Sequence, residues 1–224
     1  MATLHIPDPV AEVLRRLREI GAALDPRDGI AWCNAMRMRG NELIAARIAA
    51  GCFADPQQVD NLETLCAQAY FAALAADDHG VWPNPAWHPV FDARANRTVW
   101  PLQFALAGMN AHLNHDLPLA VTKTGADRHV VRKVIDSLAE IEAELRAEAQ
   151  PRLRKLATRD AEALEHILAG FSVAKSRDTV SATVEILWAQ RDNGEVRAMT
   201  ERALEQTVAT TGRILLTPVV PPPN

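Results

Sequence analysis

The sequence is short of cysteine, of basic excess and of long apolar runs, and each shortage excludes something. Its three cysteines, Cys33, Cys52 and Cys66, form no CxxC pair and no even set, so no disulfide framework is expected and a reducing cytoplasm is the natural setting. No stretch approaches the ~18 consecutive apolar residues of a membrane span. Lys and Arg number 24 against 28 Asp and Glu, a formal net charge of -4, which argues against a nucleic-acid partner. Met1-Ala-Thr-Leu-His-Ile-Pro-Asp8 lacks the basic and then apolar order of a signal peptide. A P-loop, a Rossmann glycine fingerprint, GxSxG and HExxH are all missing. Their absence removes nucleotide-fold enzymes, ordinary serine hydrolases and zincins, and with them a nucleotide cofactor.

What remains is a chain of 224 residues, 48% hydrophobic and 23% charged, too apolar and too weakly charged to be disordered. Helical periodicity appears almost everywhere. The clearest case is 127–150, where Val131, Val134, Leu138, Ile141 and Leu145 recur at spacings of three and four, with Glu140, Glu142, Glu144 and Arg146 on a solvated face. Apolar spacing, glycine stops and proline starts predict helices near 7–24, 27–50, 57–77, 86–95, 101–117, 127–149, 151–169, 171–191 and 194–214. Pro151 reads as the first residue of its helix. The expected fold is all-α: a single-domain bundle of eight or nine helices over 1–216, followed by a proline-rich tail, 217–224. The long connection 78–100 holds Trp82, Trp87 and Trp100 and reads either as a lid over a site or as cover for a core edge.

One segment concentrates chemistry. After an apolar stretch opened by Pro101, the chain places Asn110, His112, Asn114, His115 and Asp116 within seven residues before Pro118. Buried polar groups need partners. His112 and Asp116 are four apart and share a helical face, with His115 beside it; Asn110 and Asn114 form a second such pair on the far side. A His and Asp pair at this spacing can supply two ligands to one divalent metal ion, or an oriented imidazole–carboxylate couple for proton transfer. It can equally be an ion pair with no further role. Asn110 and Asn114 would contact substrate.

The 171–191 helix supplies possible partners. Its stripe Phe171, Ala174, Asp178, Ser181, Glu185 and Trp188 carries two carboxylates between aromatics, while the neighbouring stripe is Val173, Arg177, Val180, Val184 and Leu187. With apolar residues on both, the helix should be largely buried. Asp178 then joins the catalytic candidates, and Arg177, Glu185 and Trp188 the substrate-binding ones, unless they form a buried tie between helices. Arg37, Arg39 and Arg47 read as a solvated face, and Tyr70 as core.

The segment Phe104-Ala-Leu-Ala-Gly-Met-Asn-Ala-His-Leu-Asn-His-Asp-Leu-Pro-Leu-Ala-Val121 resembles the signature of DUF5995, a bacterial family of unknown function. Gly51-Cys-Phe-Ala-Asp-Pro56, Tyr70-Phe-Ala-Ala-Leu74, Ser176-Arg-Asp178 and Leu215-Leu-Thr-Pro218 match as well. The resemblance implies one all-helical domain and carries no activity. His112, Asp116 and Pro118 are also similar to the HxxxD and following proline of the helical zinc phospholipase C and P1-nuclease group, whose further histidines have no counterpart here. Three functions are therefore open. The first is an enzyme of small-molecule metabolism, with one divalent metal on His112 and Asp116. The second is a metal-free acid–base catalyst or cyclase acting on an apolar substrate. The third is a non-catalytic binding or structural protein with a buried polar network. A small-molecule partner and a homodimer fit the first two.

Overall fold

The computed structural model describes residues 8–222. The expectations about Met1–Pro7 and about the final tail positions, 223–224, lie outside them. Among the described residues ten α-helical segments are present: α1 (Asp8–Ala23), α2 (Gly29–Ala49), α3 (Pro56–Asp78), α4 (His88–Ala93), α5 (Pro101–Ala111), α6 (Leu117–Thr124), α7 (Arg128–Leu153), α8 (Thr158–Leu168), α9 (Val173–Ala189) and α10 (Gly194–Leu215). No strand occurs among the described residues. A π turn, His112–Asp116, joins α5 to α6, so those two form one rod and the described residues make nine rods in all.

Local chemistry sets the starts. Asp28, Asp55, Asp127 and Ser172 each turn a side-chain oxygen onto the first free backbone N–H groups of α2, α3, α7 and α9, donors that a helix leaves unpaired. Gly125, at φ +67°, stops α6 in the left-handed conformation that glycine adopts most readily.

The central rod is the most apolar segment and the most enclosed. Ten of the eleven residues of α5 are buried, as a helix that is hydrophobic all round requires. α2 and α10 flank α5; α3 and α9 pack on α6 and the π turn; α7 closes the bundle against α2 and α9. α2 and α5 approach so closely that a Cβ on Gly29 would lie 2.2 Å from the Phe104 ring, and one on Gly108 2.9 Å from Cys33 Sγ.

Two prolines act differently from their expected roles. The helix expected to end at 117 continues through Pro118. Within a regular helix that ring would collide with the carbonyl of Asn114 and leave it without a donor. The wider π turn, closed by Leu117 N–H donating to the His112 carbonyl, relieves the clash and lets the rod run on to Thr124. Pro151 does not start a helix; it lies in the last turns of α7, which carries on to bury Leu153. Glu142 and Arg146 are not a solvated pair either. Glu142 is buried and accepts from Val173 N at 2.7 Å, while Arg146 donates to the Leu168 and Phe171 carbonyls, tying α7 to the corner between α8 and α9. Among the described residues no helix is long and apolar enough to cross a membrane.

Candidate functional site

Side chains from α2, α3 and the π turn, with Trp87 from the connection before α4, converge on one buried cation. Arg37, expected at the surface, is 3% exposed. It lies on the stripe of Ile30, Cys33, Ile44 and Ile48, all buried, so the helix cannot hide those residues without hiding it too. Its guanidinium sits 4.9 Å from the centre of the Tyr70 ring and 6.0 Å from that of Trp87, favourable positions over aromatic faces. Its Nη2 donates to the Cys66 carbonyl at 3.2 Å. Nε and Nη1 are buried without a hydrogen-bond partner.

Two titratable groups share this environment. Glu63 of α3 is 2% exposed and its Oε1 has no partner. Burial raises its carboxyl to about 7, with the Arg37 charge opposing the rise. His112 of the π turn is 4% exposed with Nδ1 unpartnered. Burial, reinforced by the positive charge of Arg37, holds its imidazole well below the ordinary histidine range. Near neutral pH His112 is therefore uncharged, and Glu63 is divided between acid and carboxylate.

A second polar chain starts on the same turn. Asp116, 3% exposed, accepts from Trp87 Nε1 at 3.1 Å through one oxygen and from His115 Nδ1 at 2.8 Å through the other. His115 Nε2 lies 3.9 Å from Glu205 of α10, and Glu205 in turn accepts from Asn84 Nδ2 at 2.8 Å. The sequence Trp87, Asp116, His115, Glu205, Asn84 thus leads from the core to the surface. The tryptophan-bearing connection borders this cluster through Trp87 and Asn84 only. Trp82 is 74% exposed and packs edge-on against His88 at 4.2 Å, and Trp100 is buried at the far end of the rod.

The nine residues singled out from the sequence fall into three places. His112, His115 and Asp116 lie together in the bundle interior, although His112 and Asp116 share no hydrogen bond with each other. Asn110 and Asn114 face α10: Asn110 Nδ2 donates to the Val208 carbonyl at 3.0 Å, Asn114 Nδ2 donates to Asn110 Oδ1 at 3.0 Å, and both line a groove between α9 and α10. The expectation that α9 is largely buried does not hold. Its inward stripe is Val173, Ser176, Val180 and Leu187, which puts Asp178 and Glu185 at the surface. Arg177 pairs there with Asp136 and Glu185 with Arg128, and Arg177, Asp178 and Glu185 line a groove against α6 and α7. Trp188 is half exposed beneath Arg191. The cause is desolvation: of two comparably apolar stripes, the one with fewer charges goes inward.

Arg37, Glu63, Trp87 and Glu205 were not among the site residues expected. For Glu63 the signal is present in the sequence, since Val59, Glu63, Cys66 and Tyr70 follow helical spacing and place a carboxylate on an otherwise apolar stripe. For Trp87 and Glu205 no local pattern exists, because their partners lie 29 and 90 or more residues away. Among the described residues no three His, Cys, Asp or Glu side chains converge where they could hold a metal ion. No curated protein and no solved structure matches the chain. The family model of unknown function DUF5995 matches residues 10–218, over the same central segment that holds the π turn and its buried histidines; the chain belongs to the DUF5995 family.

Proposed function

We propose that the chain is an enzyme of acid–base type acting on a small polar molecule, with Glu63 and His112 exchanging the proton and Arg37 holding the ligand. One observation carries this reading. Nε and Nη1 of Arg37, Oε1 of Glu63 and Nδ1 of His112 are all buried around a single charge without partners. An orphaned buried polar atom costs about 1–3 kcal/mol, and native proteins keep few of them without a reason. Four in one cluster suit a site that a ligand completes. A carboxyl poised near 7 meets the requirement that a catalytic acid or base titrate near the working pH, and an uncharged imidazole near the same guanidinium supplies a neutral donor or acceptor. π turns, moreover, occur frequently at functional sites. Asp116 and His115 act here as positioning groups, since both oxygens of Asp116 are committed to hydrogen bonds. That commitment also gives a divalent ion on His112 and Asp116 less support than proton transfer.

A purely structural role has one observation in its favour. None of the grooves described is lined by Arg37, Glu63, His112, His115 or Asp116, so a ligand must enter by displacing cover. The apolar substitutions Glu63→Met and His112→Leu separate the readings. If the orphaned groups are kept for function, removing them leaves the melting temperature unchanged or higher, and it abolishes the rise in melting temperature given to the native chain by an active compound from a panel of small carboxylates, amides and amino acids. If they belong to a structural network, each substitution costs about 1–3 kcal/mol, a fall of roughly 2–10 °C for a chain of this size. Such a fall, with no compound stabilising the native chain, overturns the proposal.

A further inference from the structure

On the opposite face of α2 from Arg37, a groove of about 250 Å³ opens between α2, α5 and α7. It shares no residue with the Arg37 cluster and does not depend on that reading. Its depth comes from small side chains at three positions where the helices meet, Ala35, Ala105 and Ala149. Trp32 forms one wall and is 40% exposed, an uncommon position for the largest apolar side chain on a helix whose other large residues are mostly inside. Trp100 also lines the groove. Its indole N–H is already donated to the Val220 carbonyl at 2.8 Å, so it offers the groove ring carbon and no donor.

Charge at the rim has one sign in excess. Arg39, Arg152 and Glu148 are the three charged residues of the lining. Glu148 reaches across to Arg39 at 2.8 Å, although Arg152 lies four residues further along the same helix, at the spacing where a Glu and Arg pair forms readily. Arg152 is exposed and has no ion-pair partner among the described residues. A chain that is negative overall thus presents a single free guanidinium at the mouth of an aromatic groove.

We infer that this groove binds an aromatic monoanion of one or two rings, the aryl carboxylate or sulfonate class. The ring system lies along Trp32 over Ala105, and the charged group meets the Arg152 guanidinium, whose planar fork suits a carboxylate or sulfonate. The groove volume falls just below the usual range for drug-sized ligands of ~300–1,000 Å³, which limits the occupant to that size.

The test uses two two-ring probes of similar shape, the anion 2-naphthoate and the uncharged 2-naphthamide, with stoichiometry read by calorimetry and binding followed by probe fluorescence. The native chain should bind one equivalent of the anion. Ala149→Leu, an exchange of one strong helix former for another at a half-buried position, fills the groove and should abolish binding of both probes while the melting temperature stays level. Arg152→Gln should weaken the anion about tenfold, the effect of one charge-assisted hydrogen bond, and leave the uncharged probe unaffected. Binding that survives Ala149→Leu, or no saturable binding up to about 1 mM, overturns the site. Equal affinity of the anion for native chain and Arg152→Gln overturns the assignment of ligand charge.

Discussion

Glu63 and His112 are displaced in opposite directions by the same burial, so they give stability opposite dependence on pH. Glu63 has its carboxyl raised from 4.5 to about 7. The folded state therefore keeps a proton that the unfolded chain releases, and the contribution is complete below pH 4.5 and lost as pH rises through 7. His112 is lowered from 6.5; its neutral form is favoured on folding, so its contribution is present above pH 6.5 and lost as pH falls through the depressed folded value. Melting curves for Glu63→Gln and His112→Leu between about pH 4.5 and 8 separate the two. Relative to Glu63→Gln, the native chain should lose stability from pH 5 to 7, by up to about 1.4 kcal/mol per pH unit. Relative to His112→Leu, it should lose stability on acidification below 6.5. Curves that run parallel for all three would show that neither group is perturbed. At this scale the sequence was informative about the π-turn residues and about Tyr70, because polar residues on an apolar helix are conspicuous. It was misleading about Arg37, whose neighbours Arg39 and Arg47 suggested a charged face that the register of Ile30, Cys33, Ile44 and Ile48 contradicts.

Among elements, the crossing of α2 over α5 is the tightest contact. Gly29→Ala places a methyl group 2.2 Å from the Phe104 ring, and the ring is 3% exposed. The expected loss is about 1–3 kcal/mol, or roughly 2–10 °C in melting temperature. Gly194→Ala is the matched control: nothing lies within 4 Å of its added Cβ, and the change should be neutral or stabilise by about 0.4–1 kcal/mol through the unfolded chain. Equal melting temperatures for the two variants would show that α2 can shift away from α5. Helix positions were legible in the sequence to within a few residues for most of the chain, since apolar spacing and caps are local signals. The departures lie where a non-local gain outweighs a local rule. Leu153 is drawn into the core past Pro151, and the rod continues past Pro118 at the cost of one widened turn.

At the scale of the whole molecule, the segment after α10 is a strap. The tail predicted from its prolines to be non-helical is so over its described residues, 217–222, and it is fastened: Gln103 Nε2 donates to the Leu215 and Thr217 carbonyls at 2.7 and 2.8 Å, and Trp100 donates to the Val220 carbonyl. Val219 packs against the core. Gln103→Ala strands two carbonyls and should cost about 1–3 kcal/mol. It should also open 217–222 to limited proteolysis and move the emission of Trp100 to longer wavelength. Resistance to protease equal to that of the native chain would mean that the prolines and Val219 hold the strap without Gln103.

The bonds from α5 to α10 and the strap join residues 98 or more positions apart, and this has a consequence for how the chain is made. Asn110 and Gln103 donate to carbonyls that emerge from the ribosome only after every other helix described here. At about 5–20 residues per second, the apolar rod waits on the order of 5–20 s between its own synthesis and the arrival of the helix that covers it. During that interval the face of the rod that α10 covers is apolar surface open to other partners, an exposure the finished bundle no longer has.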